Sequence, residues 1–115
     1  MGLGLEIDLE EIDHRVLLRL DGRVDAASAP LLEKKIRQLV DEKHNELLLD
    51  FSRVDYLSSA GMRVLLFFAK KLSQEKGSFA LFSLSEEVKE VLKMAGLDKV
   101  LKIFSSEKEA LQFQK

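Results

Sequence analysis

One stretch of the chain gathers the groups best placed to do chemistry: Val54-Asp55-Tyr56-Leu57-Ser58-Ser59-Ala60-Gly61-Met62-Arg63-Val64. Two hydroxyls stand where an extended apolar run gives way to helical spacing. The first N–H groups of a helix have no internal partners, and with the helix dipole they favour an anion. A phosphate on Ser59 would be accommodated there by the local backbone. Gly61 has no Cβ and permits close approach to the first turn. The plainer alternative stays open at this point: Ser58 is an ordinary N-cap and Ser59 an ordinary first-turn residue.

Other chemistry is poorly represented. There is no Cys, which removes disulfides, thiolate metal sites and Cys nucleophiles. His14 falls in a polar turn and His44 at a helix end, and both read as surface residues. Neither Gly-rich phosphate loop occurs, nor do the His-based zinc motif and the serine-hydrolase elbow. The adjacent acids Glu10/Glu11 and Glu86/Glu87 point apart and read as solvated faces. No catalytic residue, metal site or cofactor is expected, and the chain is read as a non-enzyme.

The elements that must position the two serines follow from periodicity. Leu5, Ile7 and Leu9 alternate with Glu6, Asp8 and Glu10, a strand with one acidic solvated face. After the polar turn Glu11–His14, Val16, Leu18 and Leu20 mark a second strand, paired antiparallel with the first and ended by Gly22. Asp25 and Ser28 are candidate caps of a helix carrying Pro30 in its first turn. Leu32, Ile36, Leu39 and Val40 continue that helix to about Lys43–Asn45. Leu47–Phe51 reads as a strand buried on both faces, followed by a loop over Ser52–Leu57. A second helix starts at Ser58 or Ser59 and runs to about Glu75, closed by Lys76-Gly77. Its apolar residues, Met62 to Leu72, extend so far round it that either deep burial or a partner patch is implied, burial being favoured. Phe79–Phe82 is a strand, Glu86–Ala95 a helix stopped by Gly96, Val100–Phe104 a strand, and Ser105/Ser106 cap a terminal helix.

The order is strand, strand, helix, strand, helix, strand, helix, strand, helix. This makes an α/β fold with about four helices and a mixed sheet, an antiparallel N-terminal hairpin joined to parallel βαβ crossovers. The 115 residues, 46% of them hydrophobic, fit one domain over 1–115. Eighteen Lys and Arg against twenty Asp and Glu give a net charge of −2, which argues against a sequence-independent nucleic-acid binder. The longest apolar run, Val64–Ala69, falls far short of the ~20 residues of a membrane span. The N-terminus lacks a basic region, so no secretory signal is expected, and a cytoplasmic location is.

Leu57-Ser58-Ser59-Ala60-Gly61-Met62, after the strand Leu47–Phe51, resembles the phosphorylation segment of the STAS domain. More narrowly it is similar to that of bacterial anti-sigma factor antagonists, whose pattern is Asp-Ser-[Ser/Thr/Ala]-Gly-[Leu/Met]. Leu20-Asp21-Gly22-Arg23-Val24-Asp25 resembles the family's segment before its first helix, and Met94-Ala95-Gly96-Leu97 the element after its third. The likeness covers about residues 5–113.

The resemblance implies a protein-interaction switch. The unphosphorylated antagonist binds an anti-sigma factor that is also a Ser protein kinase, and so frees a sigma factor. Phosphorylation by that kinase ends binding, and a PP2C-type phosphatase restores it. Aligning Gly61 puts the acceptor at Ser59, with Ser58 as the alternative; Ser58 stands where the family often has Asp. The implied partner surface comprises Asp21, Arg23, Asp25, Ser58, Ser59, Ala60, Gly61 and Met62. The competing expectation is a STAS module that binds a ligand or serves as a scaffold in a stress-signalling or transport assembly. Parallel strands joined by one helix end on the same sheet edge, so Asp21 and Asp25 are expected near Ser59.

Overall fold

The computed structural model describes residues 4–113. Its elements are β1 (Leu5–Ile12), β2 (Arg15–Val24), α1 (Ala29–Asp41), β3 (Glu46–Leu57), α2 (Ser59–Gln74), β4 (Ser78–Phe82), α3 (Glu86–Met94), β5 (Lys102–Phe104) and α4 (Glu107–Gln112). A short 3-10 turn, Leu97–Lys99, precedes β5. The sheet order is β1-β2-β3-β4-β5, with β1 antiparallel to β2 and every other pair parallel. The expected architecture of mixed sheet, hairpin and four helices is present.

The strand order decides where the helices go. β2, β3 and β4 follow one another across the sheet, and right-handed crossovers between successive parallel neighbours must all pass over the same face. α1 and α2, with α3 after β4, accordingly share one core with that face. Leu18, Leu49 and Leu81 of the central strands meet Ile36, Leu65, Phe68 and Leu92 of the helices there. Each such side chain fully buried contributes roughly 1.5–3 kcal/mol. The alternation seen in the sequence supplies these inward positions directly.

The opposite face is covered by α4. Leu17, Leu48, Ala80 and Phe82 pack against Ala110 and Leu111. Arg19 ties this helix down. Its guanidinium donates from Nη1 to Asp50 Oδ2 and to Glu107 Oε1, both at 2.9 Å, and from Nη2 to Glu107 Oε2 at 3.2 Å. Nε reaches Glu10 at 3.1 Å. The hydrogen bonds to Glu107 push the Arg19 pKa above its ordinary value; burial opposes this, and those to Asp50 and Glu10 add to it. Asp50, the acid within the apolar run Leu47–Phe51, therefore faces α4 opposite Arg19, its register partner.

Two strands run further than the sequence suggests. β2 does not end at Gly22 but continues to Val24, and β3 continues through 52–57, expected to be a loop. Register shifts between Arg19 and Asp21, and between Gly22 and Arg23, absorb the irregular spacing that hides the pairing from a period-two pattern. Gly22 has φ +123°, and the Gly4 carbonyl occupies the space of its missing Cβ. α1 ends at Asp41, slightly before the expected Lys43–Asn45.

Arg19→Met leaves Asp50 buried without its cation. It should lower unfolding free energy on the order of 2 kcal/mol. Hydrogen exchange should accelerate in α4 more than in α1, measured alongside urea denaturation.

Candidate functional site

The C-terminal ends of β2 and β3 build the site. Their parallel pairing continues past the bulges to Arg23 opposite Tyr56 and Val24 opposite Leu57. The Ser58 N–H then donates to the Val24 carbonyl at 2.8 Å. The residue after Val24 and the residue after Ser58 thus leave from neighbouring backbone. Gly61 completes the junction: a Cβ there would lie 2.6 Å from Val24 Cγ1 and 2.7 Å from Leu57 Cδ1. The space freed by this glycine is filled by the chain's own side chains.

At the start of α2 the two serines differ. Ser58 is extended, with φ −91° and ψ 172°, and its Oγ accepts from the Gly61 N–H at 3.2 Å. Its carbonyl accepts the Met62 N–H, the first bond of the helix. Ser58 is half-buried and its hydroxyl is engaged as the N-cap. Ser59 is exposed and makes no side-chain hydrogen bond among the described residues. The N–H groups of Ser59 and Ala60 have no acceptor within the helix.

Asp25 and Ser28 divide the capping of α1 differently from expectation. Ser28 occupies the N-cap position but makes no side-chain capping bond. Asp25 Oδ1 instead accepts from the N–H groups of Ala27 at 3.1 Å and Ser28 at 3.0 Å. The buried Ser28 hydroxyl turns back, donating to the Arg23 carbonyl at 2.7 Å and accepting from the Asp25 N–H at 2.9 Å. The Ser28 backbone bond, opposed by slight burial and helped by the Ser28 hydroxyl, holds the Asp25 carboxyl below its ordinary pKa.

Of the residues read from sequence, Arg23, Asp25, Ser58, Ser59, Ala60, Gly61 and Met62 come together around this junction. Asp21 does not. It pairs in register with Arg53, with an ion-pair distance of 3.6 Å, on the order of 15 Å of strand before Ser58. β2 is extended through Asp21, so distance along the strand separates it from the tip. Tyr56 was not singled out from sequence and belongs here. The Arg23 guanidinium lies 4.4 Å from its ring centroid, and Arg23 Nε is 3.7 Å from Asp25 Oδ2. Its position in a supposed loop concealed it; the parallel register supplies it. His14 pairs with Glu46 at 3.0 Å, at the far end of β3 from Ser58.

The STAS domain family model matches residues 6–110. The chain belongs to the STAS domain family. BtrV of Bordetella bronchiseptica, named as a candidate anti-sigma factor antagonist, is 34% identical over 92% of this chain and 91% of its own length. The anti-sigma-F factor antagonist RsfB of Mycobacterium tuberculosis is 29% identical over 86% of this chain and 82% of its own. A crystal structure of a candidate anti-sigma factor antagonist from Thermotoga maritima superposes with a TM-score of 0.88 at 27% identity, covering 92% of each chain. In this STAS domain, no helix among the described residues is long and apolar enough to cross a membrane.

Two measurements test the junction of the STAS domain. Gly61→Ala should cost about 1–3 kcal/mol through overpacking against Val24, more than the ~1 kcal/mol Ala gains as a helix former. Val24→Ala in the same chain should recover part of that loss in urea denaturation. Asp25→Asn keeps an acceptor and removes the charge. A carboxylate whose folded pKa is depressed stabilises above its unfolded value and loses that contribution as pH falls through the folded one. The melting-temperature advantage of wild type over Asp25→Asn should be full at pH 7, begin to shrink only as pH falls into the ordinary carboxylate range at about 4, and disappear below the depressed folded pKa.

Proposed function

We propose that this chain is an anti-sigma factor antagonist whose unphosphorylated form binds a kinase-type anti-sigma factor and releases the sigma factor. Phosphorylation at Ser59 ends that binding, and a PP2C-type phosphatase reverses it. The observation that carries this reading is the division of labour between the adjacent serines. Ser58 is engaged as the cap, while Ser59 presents a free, exposed hydroxyl on the first turn of α2. This favours Ser59 over Ser58 as acceptor. Membership of the STAS family and the names of its relatives support the partner class.

The local physics fits a switch that spares the fold. A phosphoserine adds about −1.5 to −2 charge and three strong acceptors. The unpaired N–H groups of Ser59 and Ala60 and the dipole of α2 favour that charge, so the helix start persists. The effect is then felt at the interface. Mispairing a buried charge there costs about 2–5 kcal/mol, and each 1.4 kcal/mol is tenfold in affinity. The proposed footprint is Arg23, Asp25 and Ser58–Met62.

Purified chain, ATP and the Ser kinase-type anti-sigma factors of the same genome provide the test. Mass spectrometry should find one phosphate, at Ser59. Ser59→Ala should abolish it and keep anti-sigma factor binding. Ser59→Asp should weaken binding at least tenfold while holding the melting temperature near wild type, because the new charge gains about 0.3–1 kcal/mol at a helix N-terminus. Phosphate found elsewhere in the Ser59→Ala protein would refute the assignment.

A further inference from the structure

The wide apolar circumference of α2 is covered only in part. Val64, Leu65 and Phe68 are buried, but Phe67 is 50% exposed and Leu66 half-buried. A groove of about 570 Å³ runs between α1 and α2 beside Phe67, with Pro30, Ala60 and Val64 also on its walls. It opens next to the phosphorylation segment, at Ala60, and follows α2 as far as Lys70.

The rim of this groove is cationic. Arg37, Arg63 and Lys70 stand around it, and Glu33 is its acid. Glu33 is bonded to Arg37 at 3.0 Å, and the Arg37 guanidinium lies 5.5 Å and 5.3 Å from the ring centroids of Phe67 and Phe68. Arg37 is thus occupied within the chain. Arg63 and Lys70 are exposed and form no hydrogen bond or ion pair among the described residues. An apolar floor under two uncompensated cations occurs in a chain whose net charge is −2.

We propose that this groove docks an acidic, amphipathic segment of the anti-sigma factor, which sets an apolar side chain against Phe67 and carboxylates against Arg63 and Lys70. The proposal rests on the Ser59 switch above and gives it a geometry. Arg63 follows Ser59 by four residues, so the two lie on one face of α2 a single turn apart. A phosphate on Ser59 stands at the mouth of the groove with the same sign as the incoming segment. It repels that segment and competes with it for the Arg63 guanidinium. Docking and switching then depend on the same cation, and the phosphate acts without moving the fold.

The test is calorimetric titration of the unphosphorylated chain with the anti-sigma factor that modifies Ser59, at several salt concentrations. Phe67→Ala should weaken binding tenfold or more, as a central aromatic contact does. Arg63→Glu and Lys70→Glu should each weaken it and flatten its dependence on salt. Both are exposed and unpartnered, so they decide the matter should Phe67→Ala lower the melting temperature. Phosphate incorporation at Ser59 is read separately. Normal phosphorylation with all three variants binding within twofold of wild type would overturn the groove and leave the switch standing. No binding and no phosphorylation of the wild type would overturn both. Dimerisation in sedimentation that Phe67→Ala abolishes would assign the groove to a second copy and also overturn the proposal.

Discussion

The parallel pairing of β2 with β3, carried through to the Val24 carbonyl and the Ser58 N–H, is the constraint on which the functional end of this molecule depends. It stops both strands at the same edge. The chain leaves β2 into the Asp25–Ser28 turn and leaves β3 into the cap of α2, so two segments far apart in sequence start side by side. Gly61 lets Val24 and Leu57 close the space between them. Arg23 lies on a strand and Ser59–Met62 on a helix, with Asp25 in the turn between β2 and α1.

Directionality of the fold distributes the remaining work. Successive right-handed crossovers put α1, α2 and α3 on one face and leave the other for α4. The first face holds most of the apolar core. The second combines a small apolar patch with a charged clamp, Arg19 between Asp50, Glu107 and Glu10. That clamp is remote in function from the serines, because it lies on the face turned away from α2. Packing against the sheet and α1 still leaves α2 with a half-exposed Phe67, and with Arg63 and Lys70 unpaired among the described residues.

Electrostatics at the serines are set by backbone more than by side chains. Ser58 satisfies one orphan N–H of α2, that of Gly61, and those of Ser59 and Ala60 have no acceptor within the helix. Negative charge is favoured there by the backbone itself. The residue before Ser59 is itself an uncharged cap, Ser58.

By itself the sequence determined the number and kind of elements, the hairpin, the core stripes and the Ser58–Gly61 motif. These are local properties: period-two and helical spacing, cap chemistry and a Gly within a turn report on neighbours a few residues away. It also determined that a helix starts at Ser58 or Ser59, since the apolar spacing changes there. What only the tertiary structure decided is non-local. The residues after Gly22 and the bulged stretch 52–57 read as outside the strands because regular alternation stops there, and only pairing across two strands makes them sheet. That pairing moved Asp21 away from Ser59, brought Arg23 over Tyr56, and explained Asp50 through Arg19. It also decided that Asp25 accepts the N–H groups of Ala27 and Ser28 in the turn before α1, while the Ser28 hydroxyl is drawn back to the Arg23 carbonyl. Exposure followed the same rule: helical spacing marks which residues of α2 are apolar, but only packing against the sheet and α1 determines that Phe68 is buried and Phe67 is not.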